Sequence, residues 1–139
     1  MILTKSFYTD TTKGLDVKVI SHEVRRVIKE ANTDNGSMTV VSPARGAGFL
    51  ILDVADKPET AKKSLETLQS NGTLAYLLPK TLTIPIEKGK LSIDPWQELF
   101  LVDYEASAKR REFRVQVVTE PPPPQPQQGE GGIPLGSVM

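Results

Sequence analysis

Apolar positions alternate with polar ones near both ends of this chain and fall at helical spacing twice between them. The pattern predicts a set of short strands interrupted by two helices. Residues 3–8 and 15–20 read as strands joined by the polar run Thr-Asp-Thr-Thr-Lys-Gly, and Leu15, Val17 and Val19 alternate with Asp16, Lys18 and Ile20. Ser21 is placed to N-cap a helix to about Ala31, with Val24, Val27, Ile28 and Ala31 as its buried stripe. Residues 32–36 form a turn, and a strand over 38–41 ends at Pro43. A second apolar strand over 49–54 follows the loop Ala44-Arg45-Gly46-Ala47-Gly48. Asp56 and Glu59 have capping-box spacing, and Pro58 is tolerated in the first turn, where an N–H would lack a partner. Ala61, Leu65 and Leu68 mark the buried face of this second helix until Asn71-Gly72 stops it. Residues 74–78 fit either a strand or a helix end. Thr83, Ile84 and Ile86, the turn over 87–90, then Leu91 and Ile93 predict a hairpin. Strands over 98–104 and 113–118 complete the order.

The composition changes abruptly at Pro121. PPPPQPQQGEGGIPLGSVM cannot bury enough apolar area to fold alone, which divides the chain into a domain over 1–119 and a tail over 120–139. The tail reads either as a solvated extension or as a polyproline ligand for a proline-recognition domain. Seventeen basic and seventeen acidic residues give a formal net charge of zero, which removes the electrostatic drive of general nucleic-acid binding. Arg25, Arg26 and Lys29, interleaved with Glu23 and Glu30, read as an ordinary solvated helix face. No apolar run is long enough to span a membrane, and the N-terminus lacks the layout of a secretory signal. Without cysteine there is no disulfide, thiolate nucleophile or Cys-based zinc site. A cytoplasmic protein with no metal or cofactor is the expectation.

Candidate chemistry is sparse. Arg45-Gly46-Ala47-Gly48, between two strands, could cradle an anion, since glycines let backbone N–H groups approach it and arginine offers a bidentate fork. The same residues equally suit a tight strand connection. The loop has neither the Gly-Lys-Ser/Thr ending of a phosphate-binding loop nor a following helix. Asp53 is a candidate general base, or else a residue on the strand's wet face. Trp96, the single tryptophan, reads as a buried indole in the core or at an interface. His22, the lone histidine, falls in a helix's first turn, where a surface or capping role is the ordinary one.

In order and spacing, residues 83–97 (TIPIEKGKLSIDPWQ) resemble the hairpin and Trp-Gln segment of the YjbQ-type family, whose members are linked to secondary thiamine-phosphate synthase activity. A second block, residues 42–51, matches the family at Pro43, Ala47, Gly48 and Ile51. There Ala44 stands where the family has histidine, and Arg45-Gly46 replace two hydroxyl residues. Asp53 stands in for a glutamate, and Asp56 matches. The family's histidine-bearing loop after the second helix is missing or much shortened. Arg111, in the basic stretch before the last strand, aligns with a family arginine.

The resemblance implies an α+β fold: β-rich, sandwich-like antiparallel sheets with two helices, assembled as a homotrimer. It also implies that histidine-dependent activity is lost. A small phosphorylated or anionic ligand would be held by Arg45, Gly46, Ala47, Gly48 and Arg111, with Asp53 as the catalytic candidate. Two other functions remain open: a thiamine-phosphate synthase-like transferase working through carboxylate and arginine, and a non-catalytic oligomeric scaffold displaying proline-rich tails.

Overall fold

The computed structural model describes residues 1–12, 14–53, 58–69, 72–105 and 109–120. The expected Asp56 cap, the side chain of Ala61, Asn71 and the tail from Pro121 lie outside the described residues. The elements run β1 (Ile2–Thr11), β2 (Asp16–Val19), α1 (Ser21–Ala31), β3 (Gly36–Val41), β4 (Ala47–Asp53), α2 (Pro58–Gln69), α3 (Leu74–Leu77), β5 (Thr81–Glu87), β6 (Lys90–Leu91), β7 (Gln97–Asp103) and β8 (Lys109–Thr119). The fold is α+β with antiparallel pairing throughout. One sheet has the order β1-β8-β3-β5-β6 and the other β2-β7-β4.

The strand period of two decides what each face meets. Phe113, Val115 and Val117 of β8, Met38 and Val40 of β3, and Ile84 and Ile86 of β5 turn inward from the larger sheet. They pack with Val24, Val27, Ile28 and Ala31 of α1 and with Phe49, Leu99 and Leu101 from the smaller sheet. Phe7 stacks on its cross-strand partner Phe113 at 5.4 Å between centroids. The other face of the smaller sheet offers Val102 and Leu50 to Leu65 of α2 and to Leu74 and Leu78 around α3, forming a second core. Residues 74–78, ambiguous in sequence, therefore resolve as a one-turn helix that docks there.

Two local expectations change. Ser21 does not cap α1: Ile20 holds the cap position and no side chain bonds there. Ser21 faces the core instead, where its Oγ accepts from the Leu99 N–H at 2.8 Å, while the Ile20 N–H donates to the Leu99 carbonyl at 2.9 Å. Burial favours the nearest strand donor over the helix's own. Ser21→Ala is expected to leave the Leu99 N–H unpaired and to lower stability by about 1–3 kcal/mol in urea titration. Trp96 is likewise not buried within the chain, at 56% exposure. The turn after Pro95 directs it outward, fixed by the Gln97 N–H on the Asp94 carbonyl and the Asp94 N–H on Gln97 Oε1, both at 2.9 Å.

The hairpin forms where expected. Lys88 (φ 52°) and Gly89 (φ 78°) supply the paired positive φ angles that a two-residue connection needs to follow the strands' twist. Its return strand is short, and Ile93 lies beyond β6.

Candidate functional site

The inward row of β8 continues past Phe113 to Arg111, and the inward row of β7 continues past Leu99 and Leu101 to Asp103. Each row ends in a charge of opposite sign at a core position. Arg111 is 3% exposed and Asp103 is fully buried, so neither can leave its charge to water. They pair as a fork: Arg111 Nε donates to Asp103 Oδ2 at 3.0 Å and Nη2 to Oδ1 at 3.1 Å. Thr11, the last inward residue of β1, donates from Oγ1 to Asp103 Oδ2 at 2.6 Å, and the Glu105 N–H donates to Oδ1 at 2.9 Å. Arg111 also donates to the Arg45 carbonyl and to Glu105 Oε1, each at 2.6 Å. Four of the five guanidinium N–H groups are thus committed to the protein itself.

Burial opposes the charge on Asp103 more than any other single influence. The bonds from Arg111, Thr11 and the Glu105 N–H, with the charge of Arg111, outweigh it together and hold the carboxyl below the usual range. Burial likewise works against the Arg111 charge, and the two carboxylates overcome it and raise its pKa.

The loop from β3 to β4 closes over this network. Gly46 adopts φ 92°, and a Cβ there would lie 2.1 Å from Glu105 Cγ and 2.6 Å from Arg111 Nη2. Its carbonyl accepts from the Tyr104 N–H at 2.7 Å. The close approach that glycine permits is therefore used by the chain's own carboxylate and guanidinium. Ala47 and Gly48, expected in the loop, belong to buried β4. A Cβ on Gly48 would sit 2.7 Å from Leu78 Cβ and 2.9 Å from the Pro79 carbonyl oxygen, which itself accepts from the Phe49 N–H at 3.0 Å. Small residues are needed there because the chain after α3 crosses β4 backbone to backbone.

Asp53 is not part of this cluster. Ala47 pairs with Asp103 at one end of β4, and Asp53 pairs with Gln97 at the other, about 20 Å away at strand rise. His22 is exposed on α1 and does not line the cluster. No group of three or more His, Asp or Glu side chains that could hold a metal ion occurs among the described residues.

Outside the network lies an open cleft of about 540 Å³, lined by Tyr8, Ala44, Arg45 and Arg110 with Glu105 and Glu112 at its sides. The Arg110 guanidinium sits 4.7 Å over the Tyr8 ring, a cation–π contact that sets its direction. Glu112 is engaged by Arg114 at 3.0 Å, and that bond draws its carboxyl below the usual range. Arg45 and Arg110 have no carboxylate partner among the described residues. The sequence singled out Arg45 but not Arg110, Tyr8 or Asp103. The available signal was the inward alternation of β7 and β8, which places Asp103 and Arg111 on otherwise apolar rows.

The architecture has close counterparts among solved structures. A YbjQ-like protein of unknown function from Sulfolobus solfataricus superimposes with a TM-score of 0.77 at 16% identity, covering 86% of this chain and 99% of that one. A hypothetical protein from Aeropyrum pernix gives 0.75 at 19% identity, covering 85% and 99%. An uncharacterised conserved protein of the YjbQ/UPF0047 family from Clostridium acetobutylicum gives 0.73 at 22% identity, covering 82% and 99%. The family model described as UPF0047 protein YjbQ-like matches residues 66–120. In fold the chain is similar to these YjbQ-like proteins, and over residues 66–120 its sequence matches that family model.

The match to that model runs from α2 to just past the end of β8, and so contains the hairpin, Asp103 and Arg111. The structural match is wider than that stretch, covering 86% of the chain. No curated protein is significantly similar to the chain. No described helix is long and apolar enough to cross a membrane.

Proposed function

We propose that this YjbQ-like protein binds a small anionic ligand, phosphorylated or carboxylated, in the cleft beside Arg45 and Arg110, without histidine-dependent chemistry. The observation that carries the reading is the pair of guanidinium groups facing the cleft with no carboxylate partner among the described residues. Arginine forks match the geometry of phosphate and carboxylate oxygens, and Tyr8 holds one of them in place. Arg111, which the sequence suggested as a ligand contact, serves this reading from behind: it fixes the Arg45 backbone through the carbonyl bond. The ligand-binding role falls to the exposed arginines.

Thermal-shift titration with pyrophosphate tests the proposal. At about a hundred times Kd the expected stabilisation is roughly 2.7 kcal/mol. Arg45→Ala and Arg110→Ala are each expected to abolish that response while shifting the ligand-free stability by no more than about 0.5 kcal/mol, because both side chains are exposed. No response from the wild-type protein, or a response of wild-type size from both variants, contradicts the reading. The same proposal has the body homo-oligomeric, as a trimer, and a single-chain mass in analytical ultracentrifugation would remove that part.

A further inference from the structure

The larger sheet begins with β1, which pairs with β8 alone among the described strands. That pairing runs unbroken from Ile2 opposite Val118 to Thr11 opposite Lys109. The Thr119 N–H donates to the Met1 carbonyl at 2.9 Å, which makes Met1 and Thr119 a hydrogen-bonded pair. Alternation along an antiparallel ladder then commits the odd residues of β1 to β8. Ile2, Thr4, Ser6, Tyr8 and Asp10 turn their N–H and carbonyl groups to the opposite side, where no described residue receives them.

The other sheet edges are short or covered. β6 has two residues and β2 four. β4 is crossed by the chain after α3, whose Pro79 carbonyl accepts from the Phe49 N–H. β1 has ten residues, with neither a proline nor a bulge to deter a further strand. The one charge on its inward row, Lys5, is answered within the chain by Glu30 of α1 at 2.9 Å. Ile2 and Tyr8, both on the outward row, are more than half exposed.

The strand is also complementary to itself. Run antiparallel against a second copy, β1 has one register that pairs all five edge-facing residues. Ser6 then lies opposite Ser6, Thr4 opposite Tyr8, and Ile2 opposite Asp10 of the second copy. Each of these pairs exchanges two backbone hydrogen bonds. Lys5 faces Phe7 of the second copy, no like charges meet, and Thr4 against Tyr8 is a favourable cross-strand pair. A slip of two residues in one direction sets Lys5 against Lys5, and in the other leaves Ile2 without a partner.

We propose that β1 is a self-association edge: two copies pair through it, antiparallel about a two-fold axis at Ser6, and join their five-stranded sheets into one. Combined with the trimer proposed above, this axis gives six copies; without the trimer it gives two.

The test places charges on the axis. Ser6 is exposed, with Arg114 opposite it on β8 and Glu112 within hydrogen-bond reach, so either sign of charge finds a counter-charge within the chain. In analytical ultracentrifugation the wild-type protein is expected to have the mass of two or six chains. Ser6→Asp and Ser6→Lys each set like charges across the axis, and each is expected to halve that mass. An equal mixture of the two variants should restore it. Amide hydrogen exchange on the wild-type protein adds a reading that needs no variant: Thr4, Ser6 and Tyr8 should exchange as slowly as Leu3, Lys5 and Phe7. A wild-type mass of one or three chains would overturn the proposal. So would a mass unchanged in both variants, a mixture that fails to reassociate, or fast exchange confined to Thr4, Ser6 and Tyr8 in the wild-type protein.

Discussion

Asp103→Ala is expected to destabilise the fold by about 3–5 kcal/mol, the cost of leaving a buried guanidinium without its counter-charge. The replacement removes both bonds of the Arg111 fork and the acceptor of Thr11 at once. Glu105 keeps its contact with Arg111, and the cleft admits water nearby, which favours the lower end of that range. The pair need not be worth that much relative to an apolar core. Asp103→Leu combined with Arg111→Met is expected to recover most of the loss, since neither charge is then left alone. Chemical denaturation of the single and double variants reads both numbers.

The same carboxylate sets a pH dependence. The folded pKa of Asp103 is depressed, so its contribution is fully present above the unfolded value of about 3.9. That contribution is lost as the pH falls through the lower folded value. Wild-type stability should therefore decline below about pH 4. Asp103→Asn should flatten part of the decline, leaving the share due to Asp16 and Glu112, whose pKa values are also lowered.

Gly46→Ala is the second large effect. Its φ of 92° lies outside the range that a side chain accepts readily, and the new Cβ would overlap Glu105 Cγ. Strain of this kind costs about 1–3 kcal/mol and crowding a similar amount, so a combined loss of about 2–6 kcal/mol is expected. Gly14→Ala supplies the comparison, because Gly14 has φ 88° with nothing within 4 Å of an added Cβ. The difference between the two variants isolates the crowding of Glu105 against Arg111. Equal losses would show that the close approach at Gly46 costs nothing.

Local periodicity made the sheets and helices readable. The stripe of Val24, Val27, Ile28 and Ala31 is buried on α1 as its spacing requires, and Lys88-Gly89 turns the hairpin. The features that stayed hidden depend on contacts between distant elements. Asp103 could pass for the wet end of a strand until β8 from the other sheet brings Arg111 against it. Ser21 has the identity of a helix cap, and only the arrival of Leu99 gives its hydroxyl another use. Trp96 has the composition of a core residue, but the turn at Asp94 faces it outward. At Gly46 the missing side chain leaves room for Glu105 of the same chain, a contact between distant residues, and Arg45 lines the cleft. Arg110 gave no local signal, since one arginine among Lys109, Arg111 and Arg114 is distinguished only by strand parity and by Tyr8 across the sheet.

The most direct test of the account is a crystal structure of the protein with pyrophosphate at saturating concentration. The account predicts the anion within hydrogen-bond distance of Arg45 and Arg110, with Arg111 still clasped by Asp103. An anion seated on Arg111 with Asp103 displaced, one bound at the Asp53 end of β4, or an empty cleft would contradict it.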